Sequence, residues 1–283
     1  MIVNLGGMLR FENVLYPPAG TFALVDIPGW YDKPSLELDS EPIPGQDGMF
    51  PPIDPKYGGR YITLVADVLS APHTDIRQVY WEQFSAVRAR AYELEVTDPF
   101  GTLTATVWPN GQARFTVGRV PWIGRVEVPL LAPDPRKYRA QASVSTQPAG
   151  EGTSDGLEFP LFADGYLDFG DFEIAGGFYL SNAGKADSTP YFRVRGGLDG
   201  GFSIVSPAGT LTFTGAVPVG QEVVLSAFAG GRAILNGVDR TDLLTVAQWA
   251  PIEPGETRPY SFVSLDTYSS TALLTAYMKD AWI

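Results

Sequence analysis

Apolar side chains in this chain mostly alternate with polar ones in short runs, the period-2 pattern of half-buried strands. Leu103, Ala105 and Val107 alternate with Thr102, Thr104 and Thr106, and Ala113, Phe115 and Val117 alternate with Arg114 and Thr116. With Pro109-Asn110-Gly111 between them, the two runs predict a hairpin. Phe22–Val25, Ser35–Leu38, the long run Arg60–Leu69, Val120 and Val126–Val128 read as further strands. One segment has helical spacing instead: Ile76, Val79, Tyr80, Phe84 and Val87. Thr74 can cap it, Asp75 suits its positive end, and Arg88 and Arg90 suit the other. The pattern predicts a helix from Asp75 to Arg90, packed across one face of the first domain's sheet.

The second half offers many short strands: Phe172–Ile174, Tyr191–Val194, Phe202–Val205, Thr210–Thr214, Glu222–Ala227, Ala233–Leu235, Tyr260–Ser264 and Ala272–Tyr277. Turn signals such as Asn182-Ala183-Gly184 and Asn236-Gly237 separate them, which is the rhythm of a β-sandwich or jelly roll.

Between the halves, Pro133 and Pro135 each fix φ and push Ala132 and Asp134 toward extended backbone. The segment through Tyr138 therefore reads as a stiff seam. Gln147–Gly156 is a loop by composition. These signals divide the chain into a first domain at 1–145, a linker at 146–160 and a second domain at 161–283. A Pro/Gly-rich polar excursion from Pro42 to Gly59 reads as a projecting hairpin or arm. The expected fold is mainly β: a sandwich-like first domain with one helix and the arm, then a second sandwich.

Composition narrows the chemistry. The 283 residues include 31 Gly, 24 Pro and no Cys, so disulfide and thiolate chemistry are absent. No signal peptide and no apolar run of membrane-spanning length is visible. The formal charge is −12, and residues 151–283 carry 16 acidic side chains against 7 basic ones. Such a surface disfavours phosphate backbones, so nucleic-acid binding is not expected. His73, the sole histidine, reads as a polar residue ahead of the helix. Glu151, Asp155, Glu158, Asp164, Asp168, Asp171 and Glu173 read as a solvated face; their spacing matches no EF-hand, and a calcium site and a carboxylate pair for glycoside hydrolysis are the alternatives they leave open. Trp249 and Trp282 fit sandwich core, with a sugar-stacking platform as the alternative. No cofactor, metal or catalytic constellation is assigned.

The order of motifs resembles the distal tail proteins of long-tailed bacteriophages (siphophages). Pro44-Gly45-Gln46-Asp47-Gly48 followed by Gly59-Arg60-Tyr61-Ile62-Thr63-Leu64 resembles that family's hairpin arm and the strand after it. Ala132-Pro133-Asp134-Pro135-Arg136-Lys137-Tyr138 resembles the seam closing its first domain. Asn182-Ala183-Gly184 with Thr189-Pro190, then Arg232–Asn236-Gly237, Trp249, Pro254-Gly255 and Trp282, resembles its galectin-like jelly roll. Gln46 stands where that family often has a basic residue.

The resemblance implies a structural virion protein at the phage tail tip, assembled in the host cytoplasm and not an enzyme. It implies a homo-oligomeric, hexameric ring joined through the arm, between the tail-tube protein and the tail hub or tail-associated lysin. Pro44, Gly45, Gln46, Asp47, Gly48, Gly59 and Arg60 would serve oligomerisation, and Pro133, Asp134, Pro135 and Tyr138 the seam. A carbohydrate-binding adhesion module is the competing reading.

Overall fold

The structure is a computed structural model that describes residues 1–14, 22–53, 55–69, 76–83, 87–120, 123–151, 177–227 and 230–283. The chain divides into two compact units, Met1–Ala140 with Ile283, and Gln141–Trp282. Both are built mainly of β-strands.

The first unit contains β1 (Ile2–Leu5), β2 (Leu9–Glu12), β3 (Phe22–Asp26), β4 (Leu36–Glu37), β5 (Lys56–Tyr57), β6 (Arg60–Leu69), α1 (Ile76–Gln83), β7 (Tyr92–Asp98), β8 (Gly101–Pro109), β9 (Arg114–Val117), β10 (Ile123–Ala132) and β11 (Lys137–Arg139). Where the sequence suggests two stacked sheets, one sheet closes on itself: β8-β7-β1-β2-β3-β6-β10 returns to β8 through Leu130↔Pro109 and Leu131↔Trp108. Closure leaves these seven strands with few free edges. Every strand of the circuit turns alternate apolar residues inward, among them Val3, Phe11, Leu24, Leu64, Leu94, Val107 and Val128.

Ten-residue β10 makes closure possible, because it pairs with two strands end to end. β9 takes Gly124–Glu127, and the end of β8 takes Leu130 and Leu131. The expected hairpin between β8 and β9 is therefore not formed. β8 pairs instead with the whole of β7 through its residues 101–107, from Asp98↔Gly101 to Tyr92↔Val107. Pro109-Asn110-Gly111 does turn the chain, with Gly111 at φ 91°, but it carries β9 past β8 and onto the same partner.

The helix is shorter than its periodicity suggests. It covers Ile76–Gln83, and Ile76 is fully buried in the core. Thr74, Asp75 and Phe84 fall outside the described residues, and Arg88 and Arg90 lie beyond the helix. The backbone N–H of Arg88 bonds the Tyr92 hydroxyl at 2.7 Å, so this segment serves the entry to β7.

The second unit contains β12 (Ser143–Pro148), β13 (Gly150–Glu151), β14 (Gly177–Ser181), β15 (Tyr191–Arg195), β16 (Phe202–Ser206), β17 (Gly209–Phe213), β18 (Glu222–Ser226), β19 (Arg232–Leu235), β20 (Val238–Asp239), β21 (Leu244–Ala247), β22 (Thr257–Ser264) and β23 (Leu273–Met278). One sheet runs β12-β23-β15-β18-β19-β20; the other runs β13-β22-β16-β17-β21, with β14 also on β22. Phe192, Val194, Leu225 and Leu274 from the first share one core with Phe178, Phe202, Phe213 and Phe262 from the second. Two sheets over one apolar layer make a β-sandwich. Residues 146–148, assigned by composition to the linker, are half of β12, whose six residues pair with β23. The expected strand at Phe172–Ile174 lies outside the described residues.

Candidate functional site

The excursion between β3 and β6 forms a two-stranded ribbon outside the closed sheet. Its base is fixed where Gly58 N–H donates to the Ser35 carbonyl (2.8 Å) and where Leu36↔Tyr57 and Glu37↔Lys56 pair. Farther out, Phe50 N–H bonds the Glu41 carbonyl at 2.8 Å and Pro42 bridges Met49. At the tip, Ile43 N–H donates to the Gly48 carbonyl (3.1 Å) and Gln46 N–H to the Ile43 carbonyl (3.3 Å). Gly45 and Gly48 hold φ of 75° and 114°, which a side chain would strain. Pro44, Gly45, Gln46, Asp47 and Gly48 thus form one tight loop.

None of the described residues from Ser35 to Tyr57 is buried. Leu36, Leu38, Met49, Phe50 and Tyr57 are exposed, and Ile53 is 98% exposed. A narrow ribbon with this much apolar surface in water is an interaction element in waiting.

Gly59 and Arg60 belong to the root of this arm and not to its tip. Arg60 is only 1% exposed. Its Nε donates to the Pro135 carbonyl at 2.9 Å. Its Nη1 donates to the carbonyls of Gly29 (2.8 Å), Trp30 (3.2 Å) and Asp32. Gly59 allows the close approach: a Cβ there would meet Leu131 Cδ1 at 3.0 Å and the Ala132 carbonyl at 3.2 Å. Gly29 is stricter still. It sits at φ 87°, and a Cβ would lie 1.8 Å from the Tyr61 carbonyl.

Lys137 joins the same node. Its Nζ donates to the Trp30 carbonyl at 3.0 Å and stands 5.4 Å from the centre of the Trp30 ring. Burial, and then the charge of Arg60, push the Lys137 amine down to about 8, with Asp98 opposing. Burial likewise lowers Arg60 from its ordinary value. Two buried cations held by backbone carbonyls tie the arm root to the seam.

The seam residues are organised around Asp134. Its carboxylate accepts the Tyr138 hydroxyl (2.7 Å), the Arg136 backbone N–H (3.1 Å) and Arg136 Nε (2.8 Å). Burial, together with Asp134, pushes the Tyr138 hydroxyl well above its ordinary value. Pro133 lies against Gly59, Pro135 supplies its carbonyl to Arg60, and Tyr138 pairs with Thr104 of β8. Arg60, Pro133, Asp134, Pro135 and Tyr138 are thus brought together, while the tip residues 44–48 stand apart. Trp30, Gly29, Asp32 and Lys137 complete the node without any periodicity to mark them; the turn signal Pro28-Gly29 and the place of Lys137 within the seam segment are their traces in the sequence.

In the second unit, the Asn182 motif is a buried support. Its Nδ2 donates to the carbonyls of Ala186 (2.8 Å) and Ile252 (2.9 Å), and its Oδ1 accepts Gly184 N–H (3.0 Å). Trp249 packs against the core, as its sandwich reading expects. His73 and Asp155, Glu158, Asp164, Asp168, Asp171 and Glu173 lie outside the described residues. Among the described residues no three His, Cys, Asp or Glu side chains cluster as metal ligands, and no helix is long and apolar enough to cross a membrane.

No protein-family profile matches this chain, and no curated protein matches it in sequence. Solved structures do match its fold. The Dit (gp 19.1) protein of phage SPP1, described as a paradigm of the hub adsorption apparatus in phages infecting Gram-positive bacteria, aligns with a TM-score of 0.62 at 14% identity, over 93% of this chain and 94% of that one. A chain of the phage p2 baseplate in its activated, strontium-containing conformation aligns with a TM-score of 0.54 at 9% identity, over 92% and 91%. The calcium-containing form of that baseplate gives 0.50 at 10% identity, over 88% and 87%. The chain therefore shares its overall fold, over nearly its whole length, with these solved phage proteins.

Proposed function

We propose that this chain is a siphophage distal tail protein: a structural component of the virion tail tip that forms a closed ring, with six copies the expected number. The single observation that carries the reading is a fold shared end to end with a tail hub protein, 93% of one chain against 94% of the other. The exposed apolar arm supports it from physics. A ribbon with few internal contacts is costly to order alone and gains when it docks on a neighbour. Head-to-tail contacts of this kind close into rings when the rotation allows.

In this reading one face of the ring meets the tail-tube protein, and the other the hub or tail-associated lysin. The second unit is a galectin-like jelly roll used as scaffold and not as a lectin, and the seam Pro133–Tyr138 sets the direction in which the chain leaves the first unit. Assembly takes place in the host cytoplasm. Native mass measurement of the purified protein is the direct test. A closed oligomer of defined number is expected, whereas a monomer that persists at high concentration and in the presence of tube or hub protein overturns the reading.

A further inference from the structure

Beside β9, the first unit carries an open cleft of about 510 Å³. Its walls are Arg77 and Trp81 of α1, Gln112 and Ala113 of the β8–β9 connection, and Arg114 and Phe115 of β9. This volume lies within the roughly 300–1,000 Å³ of small-molecule sites, so it has room for several side chains. Trp81 is 69% exposed at its mouth, and an exposed Trp flanked by Arg is the composition of an interface anchor. β9 also ends its sheet: among the described residues it pairs with β10 alone.

The arm has the opposite character. Residues 35–57 hold five acidic side chains and one basic, while the rest of residues 1–140 holds twelve basic and eleven acidic. The acidic ribbon also presents Met49, Phe50 and Ile53 to solvent. The same chain thus carries an acidic, apolar projection and, elsewhere, a basic, aromatic cleft.

We propose that the cleft receives the arm of a second copy of this chain. Met49, Phe50 and Ile53 pack on Trp81 and Phe115, and the carboxylates of Glu41 and Asp47 face Arg77 and Arg114. The proposal rests on the ring reading above and names the acceptor that reading lacks. Projection and cleft are different patches of one surface, so the contact is heterologous: it repeats from copy to copy instead of satisfying itself in a dimer. Opposite charge would set the register and speed the encounter, with the apolar anchors slowing release.

The absence of cysteine makes the test clean. Pro51→Cys and Ala113→Cys are made in separate full-length chains, removing neither an anchor nor a charge. Mixed and mildly oxidised, they should give a covalent heterodimer several-fold above the cross-linking of either variant alone. Arg77→Glu with Arg114→Glu should abolish the ring, and mixing that chain with Glu41→Arg, Asp47→Arg should restore assembly, as a reciprocal charge pair requires. Rings that form without the mixed cross-link, or survive the double reversal, overturn the cleft assignment and leave the ring reading standing. Dimers of Pro51→Cys alone would mean that arms meet each other, which also overturns it. A wild-type chain that forms no ring removes the ring reading and this assignment together.

Discussion

Lys137 carries a testable cost. A charged amine at this buried position faces Arg60, and its proton is held with a pKa of about 8 instead of the ordinary 10.5. Below pH 8 both the folded and unfolded chains bind this proton, and the penalty of burying the charge is present in full. Between about pH 8 and 10.5 the folded chain has released the proton while the unfolded chain still holds it, so stability rises with pH. Tyr138 acts in the opposite sense: its hydroxyl is raised in the fold, so the unfolded chain ionises first and stability falls as pH climbs past the ordinary tyrosine value. Lys137→Met should keep the fold, because the Trp30 carbonyl still accepts from Arg60. Denaturant midpoints against pH should then lose the rise above pH 8 and retain the later fall; a variant with the wild-type profile would show that Lys137 is not its source. Arg60 is the reverse case. Arg60→Met takes a donor from the partly buried carbonyls of Pro135, Gly29 and Asp32 and leaves the buried Trp30 carbonyl to Lys137 alone; at ~1–3 kcal/mol for a group left unsatisfied, the loss should reach about 3 kcal/mol. Arg60→Lys should recover little, since an ammonium cannot span the Pro135 and Gly29 carbonyls as the planar fork does. Urea unfolding of the two variants measures both effects.

Among the elements, β12 makes the sharpest prediction. It is the edge strand of its sheet, and its six residues cover β23 from Leu273 to Met278. A fragment starting at 141 should fold cooperatively, while one starting at 160 bares the ladder edge of β23 and should be less stable and prone to self-association. Thermal unfolding and sedimentation of the two fragments decide this; equal behaviour would mean that β12 adds nothing. The same strand shows where the sequence was and was not legible. Arg60–Leu69 was readable to the residue because Tyr, Ile, Thr, Leu and Val dominate ten positions uninterrupted by Gly or Pro, and Asn236-Gly237 was readable because Asn236 at φ 47° and Gly237 at φ 82° need those residue types. Ser143–Pro148 holds a single large apolar strand former, Val144, so period-2 alternation had too little to mark, and Gln147-Pro148 looked like loop. The β8–β9 hairpin misled for another reason: a turn sequence specifies that the chain bends, and only the length of β10 decides what the returning strand pairs with. In the candidate site, the arm was visible through its Pro and Gly. The Arg60 node was not, because it gathers residues 29–32, 60 and 134–138 through carbonyls that carry no side-chain signature.

On the scale of the whole molecule, the arm is the one element whose removal should separate folding from assembly. Cutting out residues 44–58 would take β5 and Gly58 with it, and would disturb the approach to Arg60. The register offers a cleaner excision. Glu37 and Lys56 are directly paired, so replacing Leu38–Pro55 with Asn-Gly closes β4 and β5 through a two-residue turn of the type that favours tight hairpins. The Gly58–Ser35 hydrogen bond and the four Arg60 contacts remain. No described side chain of the excised segment is buried, so the closed sheet loses no core. The shortened protein should therefore unfold within about 1 kcal/mol of the wild type, as surface changes away from caps and cores usually do. In native mass measurement it should run as a monomer, in contrast to the closed oligomer proposed for the full chain. A shortened chain that still closes the ring would move the oligomer contact away from the arm, to the strand edges of the first unit.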